Sequence, residues 1–133
     1  MTYYFKVYLA TFSAFFIMDM LWLGLVAREL YRKQLDFLLA PDPNWFAAVI
    51  FYFSFVAGLV IFVIGPGLKA DSLKTTLLLA AFFGWVTYAT YDLTNLATVK
   101  NWPLLITIVD MIWGTVLSVI VSVVGFMAGK WLR

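Results

Sequence analysis

Nearly all of this chain is divided among four apolar runs, at about 4–26, 45–64, 73–97 and 103–129. Each is close to the ~20 residues that a helix needs to cross the hydrocarbon of a bilayer. That length restricts the fold more than any other feature. In lipid every backbone N–H and C=O must be satisfied inside its own segment, so an apolar run of spanning length becomes a helix. Composition agrees: 65% of residues are hydrophobic and 12% charged, against about half and a quarter in soluble domains. The expected fold is all-α, an integral membrane four-helix bundle with a short amphipathic segment after the first span, in one transmembrane domain over residues 1–133. The lipid bilayer is its first partner. The net charge of +2 is small and scattered, so no nucleic-acid partner is expected. Without cysteine or histidine the chain has no disulfide, thiolate nucleophile, haem ligand or ordinary zinc or copper site, and no cofactor is expected. The first run is not followed by a small-residue cleavage pattern and is read as a retained span.

The ends of the runs carry their own signals. Gly65-Pro66-Gly67 is a strong helix stop and closes the second run, while Pro103 suits the first turn of the fourth. Trp45, Trp102 and Trp131 lie where indoles favour the headgroup level. The one sizeable connection is 27–44. Its first part mixes charges with Leu30, Tyr31, Leu35 and Leu38 at helical spacing, so it either extends the first span or lies in the interface as an amphipathic helix with its charges outward. Arg32 and Asp36 are spaced to pair. Alternating spans put both termini and the Pro66 loop on one side with Lys6, Lys69, Lys74, Lys130 and Arg133. The other side has Arg28, Arg32, Lys33 and Lys100, which tilts the termini toward the cytoplasm.

Against this apolar background three carboxylates stand out. Asp19 and Asp110 are each followed three residues later by tryptophan, Trp22 and Trp113. Asp92 lies in Tyr88-Ala-Thr-Tyr-Asp-Leu-Thr-Asn95, where Tyr88, Tyr91, Asp92 and Asn95 share one helix face at i, i+3, i+4 and i+7. Connectivity alone puts Asp19, Asp92 and Asp110 in the same half of the bilayer, with Tyr52 entering from that side. An ionised Asp at the centre of a span costs ~2.5–3.5 kcal/mol, so the three need protons, a cation, water or a basic partner. The phenols and the indoles of Trp22, Trp85 and Trp113 are available as neutral donors. Asp110, Gly114, Ser118 and Ser122, continued by Gly125 and Gly129, form a small-residue stripe suited to close helix packing, with Ser54 and Gly58 as a shorter version in the second run. A homodimer face is the other use of such a stripe. The matching text Asp19-Met-Leu-Trp22 and Asp110-Met-Ile-Trp113, on antiparallel spans, is the pattern of an inverted pseudo-repeat.

Phe51-Tyr52 and Gly58, the segment Tyr88-Ala-Thr-Tyr-Asp-Leu-Thr-Asn-Leu-Ala97, Trp102-Pro103 and Asp110-Met-Ile-Trp-Gly114 together resemble DUF2177, a family of small bacterial membrane proteins of unknown function. The resemblance covers nearly the whole chain. It implies a four-span, multi-pass protein of the bacterial cytoplasmic (inner) membrane and supplies no activity.

Three functions compete on the residues. The first is binding or transport of a lipid, small amphiphile or solute, with proton coupling available from the carboxylates. Asp19, Asp92 and Asp110 would then carry charge or proton, Tyr88, Tyr91 and Asn95 orient the guest, and Trp22 and Trp113 wall it, with Tyr52 nearby. The second is a membrane enzyme acting on a lipid, for which a carboxylate-bound Mg²⁺ is the conceivable metal. The lack of histidine and cysteine counts against it. The third is a structural subunit in which the carboxylates are hydrogen-bond glue between helices.

Overall fold

In the computed structural model, which describes residues 1–133, the chain is all-helical with no strand. Five helices follow one another: α1 over Thr2–Val26, α2 over Arg28–Leu35, α3 over Trp45–Lys69, α4 over Leu73–Thr98 and α5 over Leu104–Leu132. Helices α1, α3 and α5 are long and apolar enough to cross a membrane. Helix α4 is as long but more polar, because its last turns hold Tyr88, Thr90, Tyr91, Asp92, Thr94 and Asn95. Its threonines return their hydroxyls to the helix itself, Thr87 to the Phe83 carbonyl at 2.8 Å and Thr90 to that of Val86 at 2.7 Å. A hydroxyl satisfied in this way needs neither water nor a partner helix.

Caps and turns account for the breaks. The Asn44 side chain accepts from the Ala47 N–H, and that of Ser72 from the Thr75 N–H, each at 3.1 Å, satisfying donors that a helix start leaves open. Asp71 and Asn101, at φ 50° and 61°, take the left-handed conformation in the links before α4 and α5, a conformation that Asn and Asp tolerate better than most residues.

The expected stop at Gly65-Pro66-Gly67 does not occur: α3 continues to Lys69. Proline removes one N–H and its ring crowds the carbonyl four residues back, which ends a helix unless the ladder changes spacing. Here it changes, through a π turn at Val60–Ile64 closed by the Gly65 N–H on the Val60 carbonyl. The glycines serve packing. A Cβ on Gly65 would sit 2.9 Å from the Val60 carbonyl oxygen, and one on Gly67 would run into the Thr76 side chain.

A second π turn, Trp22–Val26, ends α1, with the Ala27 N–H on the Trp22 carbonyl at 2.8 Å. Helix α2 then starts as a separate element. Its charged residues Arg28, Glu29, Arg32 and Lys33 are exposed, as expected, but Arg32 and Asp36 form no ion pair. Its other face is turned inward, with Ala27 and Leu35 buried and Tyr31 half-buried between them.

The most extensive packing is α4 on α5, followed by α1 on α5. The stripe on α5 is buried throughout, at Asp110, Gly114, Ser118, Ser122, Gly125 and Gly129, so this face is used inside the chain. It meets a buried every-fourth-residue stripe on α4, Thr76, Ala80, Gly84 and Asp92. Ser54 is exposed and belongs to no such stripe, while Gly58 receives the Phe83 ring. Large apolar side chains such as Phe5, Phe16 and Ile17 on α1, Phe46 and Phe62 on α3, and Ile108 and Ile112 on α5 face outward. In a membrane protein that is the lipid-facing belt, since acyl chains are as apolar as the side chains they meet.

One end of the molecule is tied together by the termini. The Tyr3 hydroxyl donates to the Gly129 carbonyl at 2.8 Å, Arg133 donates to the Leu68 carbonyl at 2.6 Å, and Lys130 pairs with Asp71. The hydrogen bond from Lys130, and then its charge, hold the Asp71 carboxyl below the usual carboxylate value. A depressed value contributes stability above the unfolded-state pKa and loses it as pH falls through the folded one. Asp71→Asn should therefore lower the melting temperature slightly at pH 7 and not at pH 2, and the difference should vanish in high salt because the pair is exposed. Helix α2 and the 99–103 link lie at the opposite end.

Candidate functional site

The N-terminal half of α3 stands away from α4 and α5. Trp45, Phe46, Val49, Ile50, Phe51 and Phe53 are exposed, and burial begins at Phe55, which packs on Phe15, Phe83 and Tyr88. The space left is a cavity of about 640 Å³, open on one side and mostly apolar. Asp19, Trp22 and Leu23 line it from α1, Tyr31 and Leu35 from α2, and Leu39 from the loop beyond. Ala48, Phe51, Tyr52 and Phe55 come from α3, Thr87, Tyr88 and Tyr91 from α4, and Ile106, Asp110 and Trp113 from α5. The volume is in the range of small-molecule sites, which are apolar with a few convergent polar groups.

Those polar groups are arranged with local two-fold character. The Tyr52 hydroxyl donates to Asp19 Oδ2 at 2.7 Å, and the Tyr31 hydroxyl donates to Asp110 Oδ1 at 2.6 Å. Between them the indoles of Trp22 and Trp113 stack, with centroids 4.3 Å apart and planes 5° from parallel. Helices α1 and α5 run in opposite directions, so the two Asp-x-x-Trp segments face each other head to tail. Neither indole donates to the carboxylate three residues before it on its own helix. Trp22 Nε1 donates to the Tyr31 hydroxyl at 3.1 Å, and Trp113 Nε1 points toward Asp19 without reaching hydrogen-bond geometry.

The three carboxylates come together from three helices and are buried, Asp19 at 7%, Asp92 at 0% and Asp110 at 9% exposure. Asp92 lies outside the cavity lining, with the Asp110 carboxyl beside it. Both Asp92 oxygens are otherwise without a partner. No lysine or arginine pairs with any of the three, the ion pairs being those of Lys130 and Arg133 with Asp71. No three acidic side chains are arranged to hold a metal ion.

Of the other residues read from the sequence, Tyr52, Tyr88, Tyr91, Trp22 and Trp113 line the cavity. Tyr91 is half exposed at its edge, edge-on to Trp102. Asn95 does not line it and its side chain makes no hydrogen bond, and Trp85 points outward at 50% exposure, so neither is available to the carboxylates. The contact stripe of α4 follows every fourth residue, and a residue at i+7 from Tyr88 falls at its flank.

Sequence reasoning sets Tyr31 with Leu30, Leu35 and Leu38 among the apolar residues of the 27–44 connection and misses its place in the site. The signal was present, because Ala27, Tyr31 and Leu35 recur every four residues and form the inward stripe. Burial first, and then the charge of Asp110, push the Tyr31 phenol above its ordinary value, so it stays a donor throughout the physiological range. Tyr31→Phe is expected to cost about 1.5–3 kcal/mol, the range for a hydrogen bond to a charged group. It should also speed amide hydrogen exchange selectively in α2; unchanged exchange there would show that the phenol does not anchor the helix.

Neither the curated proteins nor the solved structures contain a match to this chain. The sequence profile described as "Predicted membrane protein (DUF2177)" matches residues 4–127. With apolar spanning helices packed as a membrane protein packs them, and that match covering nearly its whole length, the chain belongs to the DUF2177 family of multi-pass membrane proteins.

Proposed function

We propose that this protein is a four-span bundle of the bacterial cytoplasmic membrane, its termini on the cytoplasmic side, that binds a small amphiphile in the cavity between α3 and the α4–α5 pair. Helix α4 acts as the fourth span. Its threonines return their hydroxyls to the helix and Tyr88 and Tyr91 face the site, which lowers the cost of a less apolar helix in lipid. The apolar part of the guest lies along Leu35, Phe51 and Ile106, and its headgroup meets Asp19 and Asp110.

The observation that carries this reading is the cavity itself, about 640 Å³ of apolar-lined space ending on two carboxylates. Interhelical glue is the competing account, and the Tyr52–Asp19 and Tyr31–Asp110 bonds would serve it, since both join different helices. Glue, however, gains nothing from a cavity beside it, because contacts between helices are lost there.

The test is native mass spectrometry of the protein released from native membranes in mild detergent, followed by extraction of what it carries. One amphiphile per chain is expected to survive release. A spectrum showing only the bare chain, under conditions that preserve other lipid complexes, would overturn the proposal.

A further inference from the structure

The least explained group in the molecule is Asp92. It is fully buried, neither of its oxygens has a hydrogen-bond donor, and the group beside it is another carboxyl, that of Asp110. Two adjacent carboxylates, one of them fully buried and with no donor or cation beside it, cannot both be ionised; such a pair keeps one proton between them. Nothing basic offsets the charge. The groups that face the pair are the phenols of Tyr88 and Tyr91 on α4, the phenol of Tyr31 on α2 and the carboxyl of Asp19 on α1, with Tyr52 of α3 on Asp19. All are neutral or acidic. The site is therefore short of positive charge, and the retained proton supplies it.

Asp110 stands between that proton and the cavity, since it lines the cavity and Asp92 does not. A cation arriving at Asp110 and Asp19 does the same electrostatic work as the proton, so the two compete. Resting on the amphiphile-binding reading, we infer that Asp92 and Asp110 hold one proton in common, and that a cationic amphiphile entering the cavity exchanges for it. The guest class is thus an apolar chain with a positively charged headgroup. The balance is simple: the proton leaves the Asp92–Asp110 pair through the cavity, no covalent bond of the guest changes, and the site's net charge is the same before and after.

The experiment uses the full chain in nanodiscs in weak buffer, with dodecyltrimethylammonium as the cationic probe, whose charge does not vary with pH, and monododecanoylglycerol as the neutral one. Titration with the cation is expected to release about one proton per probe bound, read with a pH indicator. Its affinity should fall about tenfold for each pH unit of acidification, the slope of a one-proton exchange. The infrared band of a protonated carboxylic acid should disappear from the unmodified protein as the probe binds, a readout that does not depend on any variant folding. In Asp92→Asn the released proton and the pH slope should both be lost. Binding of the cation without proton release or band loss overturns the exchange. Binding of the neutral probe alone overturns it while leaving the cavity's role intact, and binding of neither probe overturns both.

Discussion

Gly84→Ala should destabilise the protein by about 3 kcal/mol or more, at the upper end of what one inserted methyl costs in a packed interior. The added Cβ would lie 2.6 Å from the Gly114 carbonyl oxygen and from Ser118 Oγ, and 2.8 Å from Ser118 Cβ. One of those obstacles is backbone and cannot rotate away, so α4 and α5 must separate along the most extensive interface in the molecule. Separation also unseats Tyr88, whose ring fills the notch that Gly114 leaves in α5, and so disturbs the cavity wall. Gly24 is the control. Nothing lies within 4 Å of a Cβ there, and Gly24→Ala should be neutral or gain up to about 1 kcal/mol from helix propensity. Reversible unfolding in mixed micelles measures both, and equal stabilities would mean that the α4–α5 contact is looser than described.

The second large effect is on binding. The double variant Asp19→Asn, Asp110→Asn should lose at least a hundredfold in amphiphile affinity and little stability. Each carboxylate offers a guest donor a charge-assisted bond worth about 1.5–3 kcal/mol, so losing both removes 3 kcal/mol or more, and every 1.4 kcal/mol is tenfold. The amides still accept from Tyr52 and Tyr31, so the bonds that join α3 to α1 and α2 to α5 persist. Glue predicts no change in what is bound, with only the modest loss of stability that follows when charge-assisted bonds become neutral ones. The two outcomes separate in one pair of measurements, melting temperature and retained amphiphile.

Much of this was legible in the residues. The long apolar helices follow from composition, and the meeting of Asp19 and Asp110 at one cavity, with Asp92 beside Asp110, follows from counting turns along alternating helices. The small stripe on α5 pointed inward for the same reason, since a face that lets backbones approach is wasted on lipid. What was not legible depended on how one helix answers its neighbours. Proline and two glycines at 65–67 read as a stop because local propensity favours one, yet a π turn absorbs the proline and Thr76 fills the space over Gly67. The i, i+3 spacing sets Trp22 and Trp113 beside the carboxylates on their own helices; in the fold they also stack on each other, a contact between residues 91 positions apart that spacing within one helix cannot reveal. Tyr31 reads as one of the apolar-side residues of the connection, and its bond to Asp110 spans 79 positions of sequence. The cavity has no sequence signature, because it arises from α3 standing away from α4 and α5.

That cavity is the central claim, and Ala48→Trp tests it most directly. Ala48 lines the space from the divergent half of α3 and carries no polar role, so an indole there occupies the guest's volume and leaves every carboxylate and phenol in place. Native mass spectra of this variant beside the unmodified protein should show one bound amphiphile per chain in the unmodified protein and none in Ala48→Trp, at equal melting temperature. Equal occupancy in the two would mean that the amphiphile sits on the outer belt, and the account of the site would be wrong.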